Sequence, residues 1–246
     1  YFRSWQSMIT NQGEFARPPK QQFYYQPLKM GSDSKATKQD KIERAFESVE
    51  EYEFVTNFHD VASNTILGTY GHRVISHNLF DKSYDISDYH FHNEFINTPH
   101  TDTVEANSYS KYPIMNTAVD YDNKTNVSDY AESRVSLQTT APFLHDKDVG
   151  KYGLDPLQDG LKTGQKVSQQ NQVVHGTVLK LVVKGQSYLQ AGHLITFSLK
   201  DVNSANTDNP NDPRFSGNYI ITKVRHHVTK DQYRMILECA KDSVAT

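Results

Sequence analysis

The chain has 246 residues and a formal charge of −3 at pH 7, with an isoelectric point near 6.4. That length holds one large core or two smaller ones. The charge offers no electrostatic engine for gripping nucleic acid, although a passive conduit for DNA is compatible with it. Cys239 is the single cysteine, which excludes an internal disulfide and any cysteine-based zinc cluster, and no apolar run approaches the roughly 20 residues of a membrane-spanning helix.

Residues 1 to 37 show no stable period. The aromatic patch Phe23-Tyr24-Tyr25 sits between Pro18-Pro19 and Pro27, and Gly31 to Ser34 reads as a loop. Tyr1 to Trp5 has neither the charged start nor the apolar core of a secretion signal, so the chain reads as a piece of a longer polypeptide, with residues 1–41 as a linker or the end of a preceding domain. From Lys38 to Val55, Ile42, Phe46 and Val49 fit a short helix, whereas Phe46, Tyr52 and Phe54 fit a strand; the second half is expected to be strand. Asn57 to Leu67 is expected to be a helix: Asn57 caps it, Phe58, Val61, Ala62 and Ile66 form its apolar stripe, and Gly68 ends it. Tyr70 to Phe80 and Ser83 to Phe95 then read as a hairpin turning at Asp81-Lys82, with Tyr89, Phe91 and Phe95 on one face.

Between Asn97 and Gly164 the chain turns to Asp, Asn, Ser, Thr and Tyr, with short apolar clusters at Pro113-Ile-Met115 and Ala141-Pro-Phe-Leu144. Residues 97–165 therefore read as a loop-rich insertion that must pack on something else to be ordered. Leu161 to Gln172 fits a polar, Gln-rich helix leading into the last strands. Four alternating apolar runs follow. Leu179, Leu181 and Val183 share a face, as do Ile195, Phe197 and Leu199. Ile220, Val224 and Val228 form the third set, and Met235, Leu237 and Cys239 the fourth. Asp201 to Gly217 reads as a long hairpin loop.

The most site-like stretch is Asp88-Tyr-His90-Phe-His92-Asn-Glu94. On a strand its even positions put two imidazoles and two carboxylates on one face, a donor set that suits zinc or iron. A solvated or subunit-facing polar strand face is the commoner use of such a pattern, and one strand supplies too few convergent ligands. No metal is expected there. His72 and His77 diverge on a strand, as do His226 and His227, and none is expected to act as ligand or base. Asp201, Asn203 and Asp208 suggest calcium, but Asn206 stands where the twelve-residue calcium loop needs Gly, and Asp212 where it needs Glu, so a solvated turn is expected. The sequons at Asn123 and Asn126 lie in a segment rich in such matches and are given no weight. No nucleophile elbow, phosphate-binding Gly loop or H-E-x-x-H occurs. The expected set of catalytic, cofactor-binding and metal residues is therefore empty, and no enzymatic activity is expected.

Tyr52-Glu-Phe-Val55, Gly68-Thr-Tyr-Gly-His-Arg-Val-Ile-Ser-His-Asn-Leu79 and Lys82-Ser-Tyr-Asp-Ile86, taken in order, resemble the central baseplate hub protein of T-even-like contractile-tailed phages. So does the ending, where Gly185-x-x-x-Leu189-x-x-Gly192 leads to Ser216-Gly-Asn-Tyr-Ile-Ile-Thr222, Arg225-His226 and Glu238-x-x-x-Asp242-Ser243. The related spike proteins of type VI secretion carry a similar barrel. The resemblance spans about half the chain, in two blocks, and the family's first barrel is not recognisable in this sequence.

The resemblance implies a mainly β fold with minor α: an antiparallel tube-type β-barrel, discontinuous in sequence, built from residues 42–96 and 166–246 around the insertion. It implies a homotrimeric ring joining the tail tube to the spike, flanked by baseplate wedge proteins, with DNA only passing through the lumen and no membrane anchoring. The place implied is the virion, in the baseplate, after assembly in the host cytoplasm. Two other classes compete: a virion-surface or secreted carbohydrate-binding module using the Tyr-rich insertion, and a tail-associated cell-wall hydrolase using its carboxylates.

Overall fold

The structure, a computed structural model, describes residues 5–10, 21–25, 44–56, 61–79, 82–102, 130–140, 160–200, 211–212 and 215–243. It is mainly β, and the chain divides into two compact units. The larger is Tyr1–Asn57 with Pro99–Tyr112 and Gly176–Thr246; the smaller is Phe58–Thr98 with Pro113–His175. No helix among the described residues is long and apolar enough to cross a membrane.

The larger unit is built on a six-stranded sheet of β1 (Gln21–Tyr25), β2 (Val49–Thr56), β6 (Thr177–Lys184), β7 (Leu194–Leu199), β8 (Gly217–Val228) and β9 (Tyr233–Lys241), in the spatial order β1-β7-β8-β9-β6-β2. The alternation in β6, β7 and β9 places Leu179, Leu181, Val183, Ile195, Phe197, Met235, Leu237 and Cys239 on the core face, all fully buried. Antiparallel register aligns Leu181 with Leu237 and Leu179 with Cys239, so successive rows interdigitate.

In β8 the expected phase fails part-way. Its register against β9 shifts between Ile221 and Lys223, a bulge that inserts one residue. Because side chains alternate with period two, one extra residue exchanges the faces. Tyr219 and Ile221 therefore belong to the core before the bulge and Val224 packs against it afterwards, while Ile220 is buried outside that cluster and Val228 is exposed.

The aromatic patch at Phe23 is no linker in this fold. β1 pairs in parallel with β7, in register Phe23 to Phe197, and Phe23 is fully buried. The two ends of the sheet also approach each other: Tyr24 bridges Ser48, the Tyr24 hydroxyl donates to the Arg44 carbonyl at 2.9 Å, and the Tyr25 and Tyr52 rings meet edge to face with centroids 4.6 Å apart. The sheet is thus curled into a half-barrel around one aromatic-rich core. It is mixed rather than antiparallel, since β1 runs parallel to its neighbour. Residues 44–47 are helical and β2 follows, as the two overlapping periods of that segment suggest.

The smaller unit contains β3 (Gly71–Asn78), β4 (Tyr84–His90) and β5 (Val135–Thr140) in the order β4-β3-β5. The β3–β4 hairpin forms as the sequence suggests, with Lys82 in the left-handed region at φ 59°. These strands do not join the half-barrel, contrary to the expected split barrel. From residues 42–96 only β2 does so, pairing with β6, while β3 takes β5 from the expected insertion as its parallel neighbour. The short helix Val61–Ile66 ends at Gly68, φ 75°, where the Gly68 amide bonds the Thr65 carbonyl and the Thr69 amide the Asn64 carbonyl. Both bonds close the helix end in the left-handed manner that glycine permits. The expected stripe does not face a core, because Val61, Ala62 and Ile66 are exposed and Asn64 is the buried residue; Asn57 and Phe58 lie outside the described residues.

The long helix Gly160–His175 packs on one face of β3 and β4. A Cβ on Gly164 would lie 2.4 Å from the Tyr89 Cβ, so the bare backbone is what allows close approach. Its polar composition has a use. Ser168 Oγ donates to the Thr69 carbonyl at 2.7 Å, Asn171 Nδ2 to the Leu67 carbonyl at 2.8 Å, and Gln138 Nε2 on β5 to Thr163 Oγ1 at 3.3 Å.

Candidate functional site

β9 carries one residue that breaks its own pattern. Lys241 falls on the phase of Met235, Leu237 and Cys239, and it is buried to 2% exposure. A buried ammonium must be paired or hydrogen-bonded to be tolerated. Its Nζ donates to the Ser216 carbonyl at 2.8 Å and lies over the Tyr219 ring, 5.1 Å from the centroid. Burial lowers its pKa to about 8, against the opposing pull of Asp102, Asp212 and Asp242.

The next two residues clamp a distant strap. Asp242 Oδ1 accepts the Thr101 amide at 3.0 Å and the Thr101 hydroxyl at 2.9 Å, while Oδ2 lies 2.9 Å from His100 Nδ1. Ser243 Oγ accepts the Asp102 amide at 3.0 Å, and Asp102 Oδ1 in turn accepts the Asn218 amide at 2.7 Å. Burial pushes the Asp242 carboxyl up, but hydrogen bonding and charge from His100, with the bonds from Thr101, outweigh it and hold the pKa below its ordinary value. Ser216 joins the same knot: its hydroxyl pairs with both backbone groups of Leu199, and the Phe215 amide donates to Asp212 Oδ1 at 3.1 Å.

The His100–Asp242 pair has the orientation a hydrolase gives its base, yet the nearby hydroxyl is not poised to attack. Ser243 Oγ is engaged by the Asp102 amide and by Thr101 Oγ1 at 3.1 Å, and the residue is fully buried. What this arrangement does is mechanical. It binds residues 100–102 to the end of β9 and the start of β8 through charge-assisted bonds.

The residues singled out by motif are not brought together. Strand β4 ends at His90, and Phe91–Glu94 is helical, so Asp88, His90, His92 and Glu94 do not form a ladder. Asp88 is instead gripped by both nitrogens of one edge of Arg73, at 2.7 Å each, and Arg73 Nη1 reaches Glu132 Oε1 at 2.6 Å. That grip holds the Asp88 carboxyl below its usual range. Glu94 accepts from Asn97 Nδ2 at 3.3 Å. His72 is fully buried with Nε2 on Ser136 Oγ; burial, then the Arg134 charge, lowers its pKa. His226 Nδ1 lies 2.8 Å from the Tyr233 hydroxyl, and His227 is exposed. Asn123, Asn126 and the Asp201–Asp208 loop fall outside the described residues. Among the described residues, no three His, Cys, Asp or Glu converge for a metal.

No family model matches the sequence, and no curated protein matches it either. Among solved structures, the 43 kDa tail protein of prophage MuSo2 from Shewanella oneidensis aligns with 80% of this chain and 42% of its own length, at 7% identity and a TM-score of 0.37. The tail protein from Neisseria meningitidis MC58 aligns with 91% of this chain and 45% of its own, at 10% identity and a TM-score of 0.35. The chain thus spans less than half the length of either structure. Likeness at this level carries no argument about activity or assembly.

Proposed function

We propose that the chain is a structural, non-enzymatic component of a phage tail: a wall-forming part of the central baseplate hub, three copies of which form a ring between tail tube and spike, with DNA passing through the lumen. The observation that carries this reading is the edge of β8. The strand is 12 residues long, but β7 pairs with it only from Gly217 to Ile220. Beyond Ile221, whose amide and carbonyl bond His193 and Gly192, no described strand lies beside Thr222–Val228 on that side. A long edge of this kind is an aggregation hazard in a monomer and is disposed of when a neighbouring subunit covers it. The ordered resemblance of the two sequence blocks to hub proteins supports the same reading, as does the use of the matched residues Ser216, Asp242 and Ser243 to lock the end of the wall.

Native mass spectrometry and electron microscopy of the purified protein test the proposal. Three copies, or a multiple, around an open channel are expected. A stable monomer at micromolar concentration, or glycan turnover lost on changing a single carboxylate, would overturn it.

A further inference from the structure

The three-stranded sheet of the smaller unit leaves an apolar patch exposed on its outer face. Register places Arg73, Ile75 and His77 of β3 on the same face as Tyr84, Ile86 and Asp88 of β4 and Val135, Leu137 and Thr139 of β5. Tyr84 (69%), Leu137 (66%), Val135 (53%) and Ile86 (52%) are exposed there. The opposite face, under the long helix, carries buried Val74 and Tyr89 together with buried His72 and Ser76, with Ser136 bonded to His72 and Gln138 to Thr163. An isolated sheet of this size would gain more by turning Ile, Leu, Val and Tyr toward its helix and the polar residues toward water. The sequence instead leaves these four large apolar side chains on the open face, which makes sense if that face is covered in the working assembly.

We infer that this outer face is an interface against the same face of a second copy of the chain, a twofold contact that goes beyond the threefold ring of the hub reading and rests on that reading for a many-copy assembly. Two observations favour a copy over an unrelated partner. The four exposed side chains present on the order of 400 Å² of apolar surface, so that two chains bury roughly 1,000 Å² in all once the rim is included, about the threshold of a specific interface. The charges on the face are already matched within the chain, Arg73 being held by Asp88 and Glu132. An identical chain therefore meets no field of its own sign there, and an apolar centre with a paired-charge rim is the usual anatomy of a subunit contact.

The test compares the wild-type chain with Leu137→Lys and with Ile86→Lys, both at exposed positions where the fold tolerates a charge. Native mass and amide hydrogen exchange are read for each, over a range of protein concentration. In wild type, amides in 84–88 and 135–139 should be protected with increasing concentration, and either variant should weaken self-association at least tenfold without changing the circular dichroism spectrum. Concentration-independent exchange at these strands, or unchanged association in both variants, overturns the inference. So does protection that appears only after a different tail protein is added. If the variants assemble as trimers like wild type with this face exposed, the inference fails while the hub reading stands; a protein that stays monomeric defeats both.

Discussion

Removing the carboxylate of Asp242 should unlock the strap at residues 100–102. In the fold this group accepts two bonds from Thr101 and one from His100, all in a buried setting. In Asp242→Ala the Thr101 amide and His100 Nδ1 lose this partner, while the Thr101 hydroxyl keeps Ser243 Oγ; a buried polar group left unsatisfied costs about 1–3 kcal/mol, so the sum is roughly 3–5 kcal/mol. Asp242→Asn keeps an oxygen for Thr101 and loses only the charge toward His100 and Lys241, so a cost of about 1–2 kcal/mol is expected. Urea unfolding gives the two differences, and hydrogen exchange locates them: amides of Thr101 and Asp102 should exchange at least tenfold faster in the alanine variant, with β6 and β9 protected as before. The sign with pH follows from the lowered pKa. The carboxylate's contribution is complete above its ordinary value of 3.8 and fades as pH falls through the lower folded value, so wild type and variant should converge in acid. A loss below about 1 kcal/mol with unchanged Thr101 exchange would refute the argument that Asp242 holds the strap.

Phe197→Ala should cost about 3–5 kcal/mol, since the ring is fully buried against Tyr52, Phe54 and Tyr219 at the centre of the half-barrel, and urea titration measures it. Gly68→Ala should cost about 1–2 kcal/mol in thermal unfolding of the smaller unit, because φ is 75° there and a Cβ meets the Arg134 side chain at 2.8 Å. His72 takes up a proton more readily unfolded than folded, so the stability it permits is complete above pH 6.5 and declines as pH falls below that; His72→Gln should flatten the slope in pH-dependent denaturation. Lys241, lowered from 10.5 to about 8, should make stability rise with pH between those values, a rise that Lys241→Met abolishes.

The sequence by itself determined whatever rests on local period and turn chemistry. The core residues of β6, β7 and β9, the β3–β4 hairpin, the glycine that ends the helix Val61–Ile66 and the polar helix within Gly160–His175 follow from alternation, spacing and the left-handed position at residue 68. Tertiary structure decided everything that depends on a partner far along the chain. Alternation in Gly71–Asn78 cannot say which strand lies beside it, and the half-barrel and the three-stranded sheet part company on that choice alone. Gln21–Tyr25 is too short and too closely bounded by prolines to reveal that it lies beside β7. A one-residue bulge after Ile221 shifts the core phase from Tyr219 and Ile221 to Val224, which no single period-two reading of β8 could anticipate. The strap was the least legible feature. Lys241 on the apolar phase of β9 was a signal that some buried partner must exist, but His100, Thr101 and Asp102 lie about 140 residues away in sequence, and only the folded backbone brings them within 3 Å of Asp242 and Ser243.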